Sequence, residues 1–232
     1  MLKHFKIIVF VLLCANLSFF ISCGGCGRKS YVFGEECYFV APVNVSCTGT
    51  NPMTFTWEST CPVDNYNLLV MDIENNVILD VASSEKSFTD TGHNYDPEMI
   101  YVVSVAGKRD ETHLDYSESI LCKIGGSTPG EGGDDNDPPR IIAISPKEGT
   151  INRNSELKIT ATVSDPQNDP FTYKWIANYG SFQSDVDYAN IAIWTAQDTT
   201  GSYNITLYVE DSKGAYSFES ITINVEYNIP VN

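Results

Sequence analysis

Apolar residues recur at every second position along most of this chain, rather than at the three- and four-residue spacing of a helix. Leu157, Ile159, Ala161 and Val163 alternate with Lys158, Thr160 and Thr162. Phe171, Tyr173 and Trp175 follow, then Tyr203, Ile205, Leu207 and Val209, then Ile221, Ile223 and Val225. The first half repeats the pattern with Phe55 and Trp57, with Tyr66, Leu68 and Val70, and with Tyr101, Val103 and Val105. Period two over short runs predicts β-strands, and in the second half each run is expected to bury one face and solvate the other. Thr50-Asn51-Pro52, Glu74-Asn75-Asn76, Ser164 to Pro170 and Asp211-Ser212-Lys213-Gly214 separate the runs and carry turn chemistry. Strands this short, broken this regularly, predict an all-β chain built as β-sandwiches.

Two stretches fall outside the alternation. Residues 125–138 read GGSTPGEGGDDNDP, a composition that buries no apolar surface and predicts a flexible acidic linker. It divides the chain into modules at 37–124 and 139–228, each large enough for its own core. The other stretch is the apolar run Ile7 to Ile21, preceded by Lys3, His4 and Lys6 and followed by Ser22-Cys23-Gly24-Gly25. Its 15 residues are short for a membrane span of roughly 17–25 and fit the core of a signal peptide. With cysteine at the cleavage point, the segment resembles that of a bacterial lipoprotein. The resemblance implies a signal peptide over 1–22, lipidation of Cys23, a tether over 23–36, and a protein exported to the cell envelope and held to a membrane, at the outer membrane or cell surface.

Charge narrows the choice of partner. The 14 basic residues face 30 acidic ones, a net charge of −16. Residues 38–123 hold 13 acids and 4 bases, residues 140–228 hold 11 and 6, so the acidity is spread over both modules. Nucleic acid, which requires clustered Lys and Arg, is excluded as a partner. The seven cysteines have neither the paired spacing nor the histidines of a zinc site. In an oxidising compartment those beyond Cys23 are expected to form disulfides, which leaves one of Cys26, Cys37, Cys47, Cys61 and Cys122 over.

The ordered set Pro42 to Val45, Trp57, Tyr66 to Val70, Tyr101 to Ala106 and Ser117-Glu118-Ser119 resembles a fibronectin type III domain over about 37–124. That resemblance implies the pairs Cys37–Cys61 and Cys47–Cys122, with Cys26 an alternative to Cys37. Val163 to Pro166, Tyr173-Lys174-Trp175, Trp194-Thr195-Ala196 and Gly201 to Asp211 resemble the PKD-like and related immunoglobulin-like repeats of bacterial surface proteins over roughly 139–228. The whole is then two tandem immunoglobulin-like sandwiches joined by an acidic linker.

Candidate chemistry is sparse. Beyond the leader only His93 and His113 remain, neither in a catalytic motif, so no enzyme activity is expected. Asp134-Asp135-Asn136-Asp137-Pro138 resembles the acidic linker between cadherin repeats. With Asp165, Asn168 and Asp169 it could offer Ca²⁺ the oxygen ligands that the ion requires, giving Asp134, Asn136, Asp137, Asp165 and Asp169 as candidate ligands; the alternative is an acidic linker beside a turn. Tyr179, Phe182, Tyr188 and Trp194 offer either core packing or a stacking surface for sugars, with Tyr179 and Tyr188 the candidate contacts. The expected function is a non-catalytic envelope lipoprotein that mediates adhesion or protein contacts; the alternative is an accessory lipoprotein that captures polysaccharide.

Overall fold

The computed structural model describes residues 31–32, 35–36, 41–49, 51–59, 63–110, 113–123, 136–183 and 189–227. Two units are distinguished, Met1–Phe39 and Val40–Asn232. In the first, β1 (Tyr31–Val32) and β2 (Glu35–Glu36) form an antiparallel pair. The predicted signal peptide, Cys23, Cys26 and linker residues 125–135 lie outside the described residues.

The second unit holds both modules, and its described residues form strands and turns only. In the first module, β3 (Val43–Thr48), β4 (Met53–Glu58) and β7 (Ser87–Asp90) make a three-stranded sheet with β4 at its centre. Against it lies a sheet of β5 (Asn65–Asp72), β6 (Val77–Ser83), β8 (Ile100–Asp110), β9 (His113–Tyr116) and β10 (Ile120–Lys123). β5 sits between β6 and β8, and β9 and β10 pair with successive parts of β8. Met53, Phe55 and Trp57 of β4 pack on Tyr66, Leu68 and Val70 of β5 and on Tyr101, Val103 and Val105 of β8. The period-two residues of the sequence therefore do form the core of this sandwich.

The second module repeats the plan. β11 (Arg140–Ser145), β13 (Glu156–Ser164), β15 (Ser181–Phe182) and β16 (Ile191–Thr195) form one sheet, in the order β11-β13-β16-β15. β12 (Glu148–Asn152), β14 (Phe171–Ala177), β17 (Thr200–Asp211) and β18 (Tyr216–Glu226) form the facing sheet around β17. Trp194 is fully buried between Ile159 and Tyr203, Ile205, Leu207 and Val209. Of the two readings open for Trp194, the core is the one realised, and its indole N–H donates to the Tyr179 carbonyl at 2.9 Å.

The expectation that each run of the second module solvates one face is overturned for β17, and β5 and β8 of the first module are likewise covered on both faces. Residues 68–72 of β5 and 101–107 of β8 are buried throughout, as are 203–209 of β17. The physical reason is that the modules pack on one another. Leu69, Met71, Ile100, Val102, Ala106 and Tyr116 of the first module belong to the same apolar cluster as the interior of the second. The sheets also join edge to edge: β9 pairs in parallel with β17, Leu114 opposite Gly201 and Asp115 opposite Ser202, giving one nine-stranded sheet through both modules.

Candidate functional site

Two places gather the residues with chemical potential: the seam between the modules and a polar corner of the second module. At the seam, Tyr116 stacks obliquely on Tyr179 and Tyr203, with centroids at 5.6 and 6.0 Å. Tyr179 hydroxyl donates to Asp80 on β6 at 2.7 Å. Burial first, then the bond to Asp80, pushes the Tyr179 phenol up to about 12, while burial drives Tyr116 higher still. Asn204, 1% exposed, donates its amide to the Ser117 carbonyl and accepts from Thr222 at 3.0 Å. Asn178 accepts from the Asn204 N–H at 3.0 Å. Ser202 bridges Asp115 and Asn224 at 3.1 and 2.8 Å. Asn178 Nδ2 is buried without a hydrogen-bond partner among the described residues, but the remaining bonds of this network favour one alignment, because any other would leave more buried groups without partners.

Tyr179, one of the expected sugar contacts, is thus engaged in the seam, and the other, Tyr188, lies outside the described residues. Phe182 is half-buried against the core of the second module. No motif marks the seam, but one signal for it was present in the sequence. Leu68-Leu69-Val70-Met71 and Tyr101-Val102-Val103-Ser104-Val105-Ala106 are near-continuous apolar runs, the mark of a strand buried on both faces.

The corner is where the start of β11 meets the β13–β14 and β17–β18 turns. Asp165, 8% exposed, turns the chain with Oδ1 accepting the N–H groups of Gln167 and Asp169, each at 2.9 Å. Asn168 follows with φ of +60°, a conformation in which asparagine costs little. Asp211, 5% exposed, does the same in the next turn, accepting from the N–H groups of Lys213 and Ala215 at 2.8 and 3.0 Å. Side chains then cross between the segments. Asn136 donates to Asp211 at 2.9 Å, Gln167 to Asp137 at 3.3 Å, and Lys213 pairs with Asp169 at 2.8 Å. The four described calcium candidates, Asn136, Asp137, Asp165 and Asp169, are therefore brought together, while Asp134 lies outside the described residues. Asp211 and Lys213 were not foreseen there. Asp165 Oδ2 and Asn136 Oδ1 are buried without a hydrogen-bond partner among the described residues. Among those residues, however, no three His, Cys, Asp or Glu side chains are grouped closely enough to hold a metal ion.

Cys47 and Cys122 form a disulfide, with Cα atoms 6.3 Å apart. It joins β3 of one sheet to β10 of the other, and Cys122 is buried. Cys37 and Cys61 lie outside the described residues. His93 sits at the surface after β7, its Nδ1 2.7 Å from Asp90 Oδ2. The same oxygen accepts from the Tyr95 hydroxyl at 2.7 Å, and Oδ1 accepts from Gly92 N–H at 2.8 Å. Burial raises the Asp90 pKa, but its hydrogen bonds to Tyr95, Gly92 and His93, with the charge of His93, outweigh burial and hold the carboxyl below its ordinary value. This set pins a loop to the core.

Residues 136–224 match the family described as Bacterial Ig domain. No curated protein matches the chain. Among solved structures, it is similar to the fibronectin(III)-like modules of Clostridium thermocellum CbhA, at 17% identity over 78% of this chain and 90% of that one, TM-score 0.32. A two-domain fibronectin type III segment of chicken tenascin shares 11% identity over 79% and 98%, TM-score 0.31. A nucleoside hydrolase-related protein from Saccharophagus degradans, associated with carbohydrate metabolism, shares 20% over 39% of this chain, TM-score 0.34. Only 26% of that protein's length is covered. At these scores the architecture rests on the strand pairing rather than on the neighbours. Strand pairing gives two tandem β-sandwiches, the second of which matches the Bacterial Ig domain family over 136–224, and that match with the disulfide supports an exported or extracellular protein.

Proposed function

We propose that this chain is a non-catalytic envelope lipoprotein, held to a membrane through Cys23, whose two modules act as one stiff body presenting a surface for protein contacts. The observation that carries this reading is the burial of both faces of β5, β8 and β17. A chain built as loosely strung beads would solvate the outer faces of those strands. Packing the modules together removes inter-module freedom before a partner arrives, so less entropy is lost on binding. Adhesion is the use that such a preorganised, membrane-held body serves best. The test is a soluble chain from Gly27 to Asn232, screened against envelope proteins and glycan arrays. Saturable binding to a protein supports the proposal. Binding to polysaccharide alone, lost on Tyr188→Ala, would replace it with capture of polysaccharide. Labelling with a fatty-acid analogue tests the anchor, and labelling that persists in Cys23→Ser removes it.

The polar corner supports a second reading, that Ca²⁺ stiffens the second module. Its donors are all oxygen, as this ion requires, and burying Asp165 Oδ2 and Asn136 Oδ1 without partners is costly. Asn136, Asp137, Asp165, Asp169 and Asp211 would supply the oxygens, and their carboxylates would have to draw closer together than they stand to hold the ion. The Lys213 ammonium, now on Asp169, would have to yield. A rise of several degrees in Tm between EDTA and millimolar Ca²⁺ is expected, and an unchanged Tm disposes of calcium here.

A further inference from the structure

The β5–β6 turn reaches the second module in an unusual way. Asn75 Nδ2 donates to the Trp175 carbonyl at 2.8 Å, and Asn75 Oδ1 accepts from the Ala177 N–H at 3.1 Å. Trp175 and Ala177 are alternate residues of β14, whose ladder partner is β17. On an edge strand the C=O of one residue and the N–H of the residue two further on point outward together. One residue of an added parallel strand would take that same pair. We infer that the Asn75 carboxamide is a one-residue surrogate strand, which closes this stretch of the β14 edge against strand addition.

The turn is built to hold that amide in place. Asp72, 6% exposed, accepts the N–H groups of Glu74 and Asn76 through Oδ1, at 2.8 and 2.9 Å, and the Asn76 side chain through Oδ2 at 2.8 Å. Asn75 itself has φ of +65°, which asparagine tolerates better than most residues. Beside it, Glu74 forms an ion pair with Lys174, the β14 residue preceding Trp175. The turn therefore meets β14 through two consecutive residues, one by charge and one by backbone mimicry. The inference stands on geometry alone and does not depend on what the protein binds.

Asn75→Gly in the full chain tests it, since glycine keeps the positive φ and deletes only the carboxamide. Hydrogen exchange at the Ala177 amide is expected to speed up about tenfold or more, while amides bonded within the β14–β17 ladder keep wild-type rates. Asn75→Asp provides a second variant of the same length, which sets an oxygen against the Trp175 carbonyl but still offers an acceptor to Ala177. It should show the same local acceleration, to a smaller extent. Ala177 exchanging at the wild-type rate in both variants overturns the inference. So does an acceleration shared equally by the ladder, which would mark general loosening of the module.

Discussion

Single residues hold this protein's loops through carboxylates and glycines that the alternation does not single out. Asp90 lies at the end of β7, where its hydrogen bonds to Tyr95, Gly92 and His93 keep its folded pKa below the unfolded value of about 3.9. A group depressed on folding contributes stability that is full above the unfolded pKa and is lost as pH falls through the folded one. Asp90→Asn should therefore flatten the fall in stability below about pH 4, measured by urea denaturation across a pH series. Gly180 makes a different demand. It has φ of +85°, and a Cβ there would run into the Trp194 indole and the Thr195 carbonyl. Gly180→Ala should cost on the order of 1–3 kcal/mol through strain and displaced packing, read as a lower denaturation midpoint with unchanged slope. Sequence alone marked Trp194 as either core or sugar contact, because its ring is apolar in both cases. What decides is the Tyr179 carbonyl, which receives its N–H inside the module.

At the scale of elements, the strands follow from alternation, and their second faces do not. Leu68 and Leu69 are both fully buried although they point to opposite sides of β5. Leu68 packs inside the first sandwich, and Leu69 belongs to the cluster shared with the second module. Leu68→Ala and Leu69→Ala should thus destabilise by comparable amounts, about 2–5 kcal/mol each. A near-neutral Leu69→Ala in chemical denaturation would contradict burial of the second face. The disulfide acts between elements too, closing a separation of 75 residues and contributing about 4 kcal/mol on the chain-entropy account. Among the expected cysteine pairs, Cys47–Cys122 was legible only through resemblance to a fold, since spacing allows many pairings. The corner was half legible in the same way. Asp and Asn in turns marked Asp165 and Asp169, but Asp211 and Lys213 meet them through a fold-back across more than forty residues.

For the whole molecule, the seam predicts cooperativity. The shared apolar cluster, the β9–β17 pairing and the buried polar network couple the modules, so one calorimetric transition is expected. Leu69→Glu, which places a charge in the cluster, should split it into two. Alkali should act at the same place. The Tyr116 and Tyr179 phenols are raised on folding, so their contribution is full below the unfolded value of about 10 and is lost as pH rises through the folded values. The seam should open above pH 10, before the first module's core is lost, and Tyr179→Phe should reduce that sensitivity in tryptophan fluorescence. By itself, the sequence determined the class of fold, the strands and the turn residues, because period-two burial and turn chemistry are local properties of a chain. Only the tertiary structure decided that the modules share a sheet and bury each other's outer faces, because a continuous apolar run says that a strand is covered twice but does not say by what.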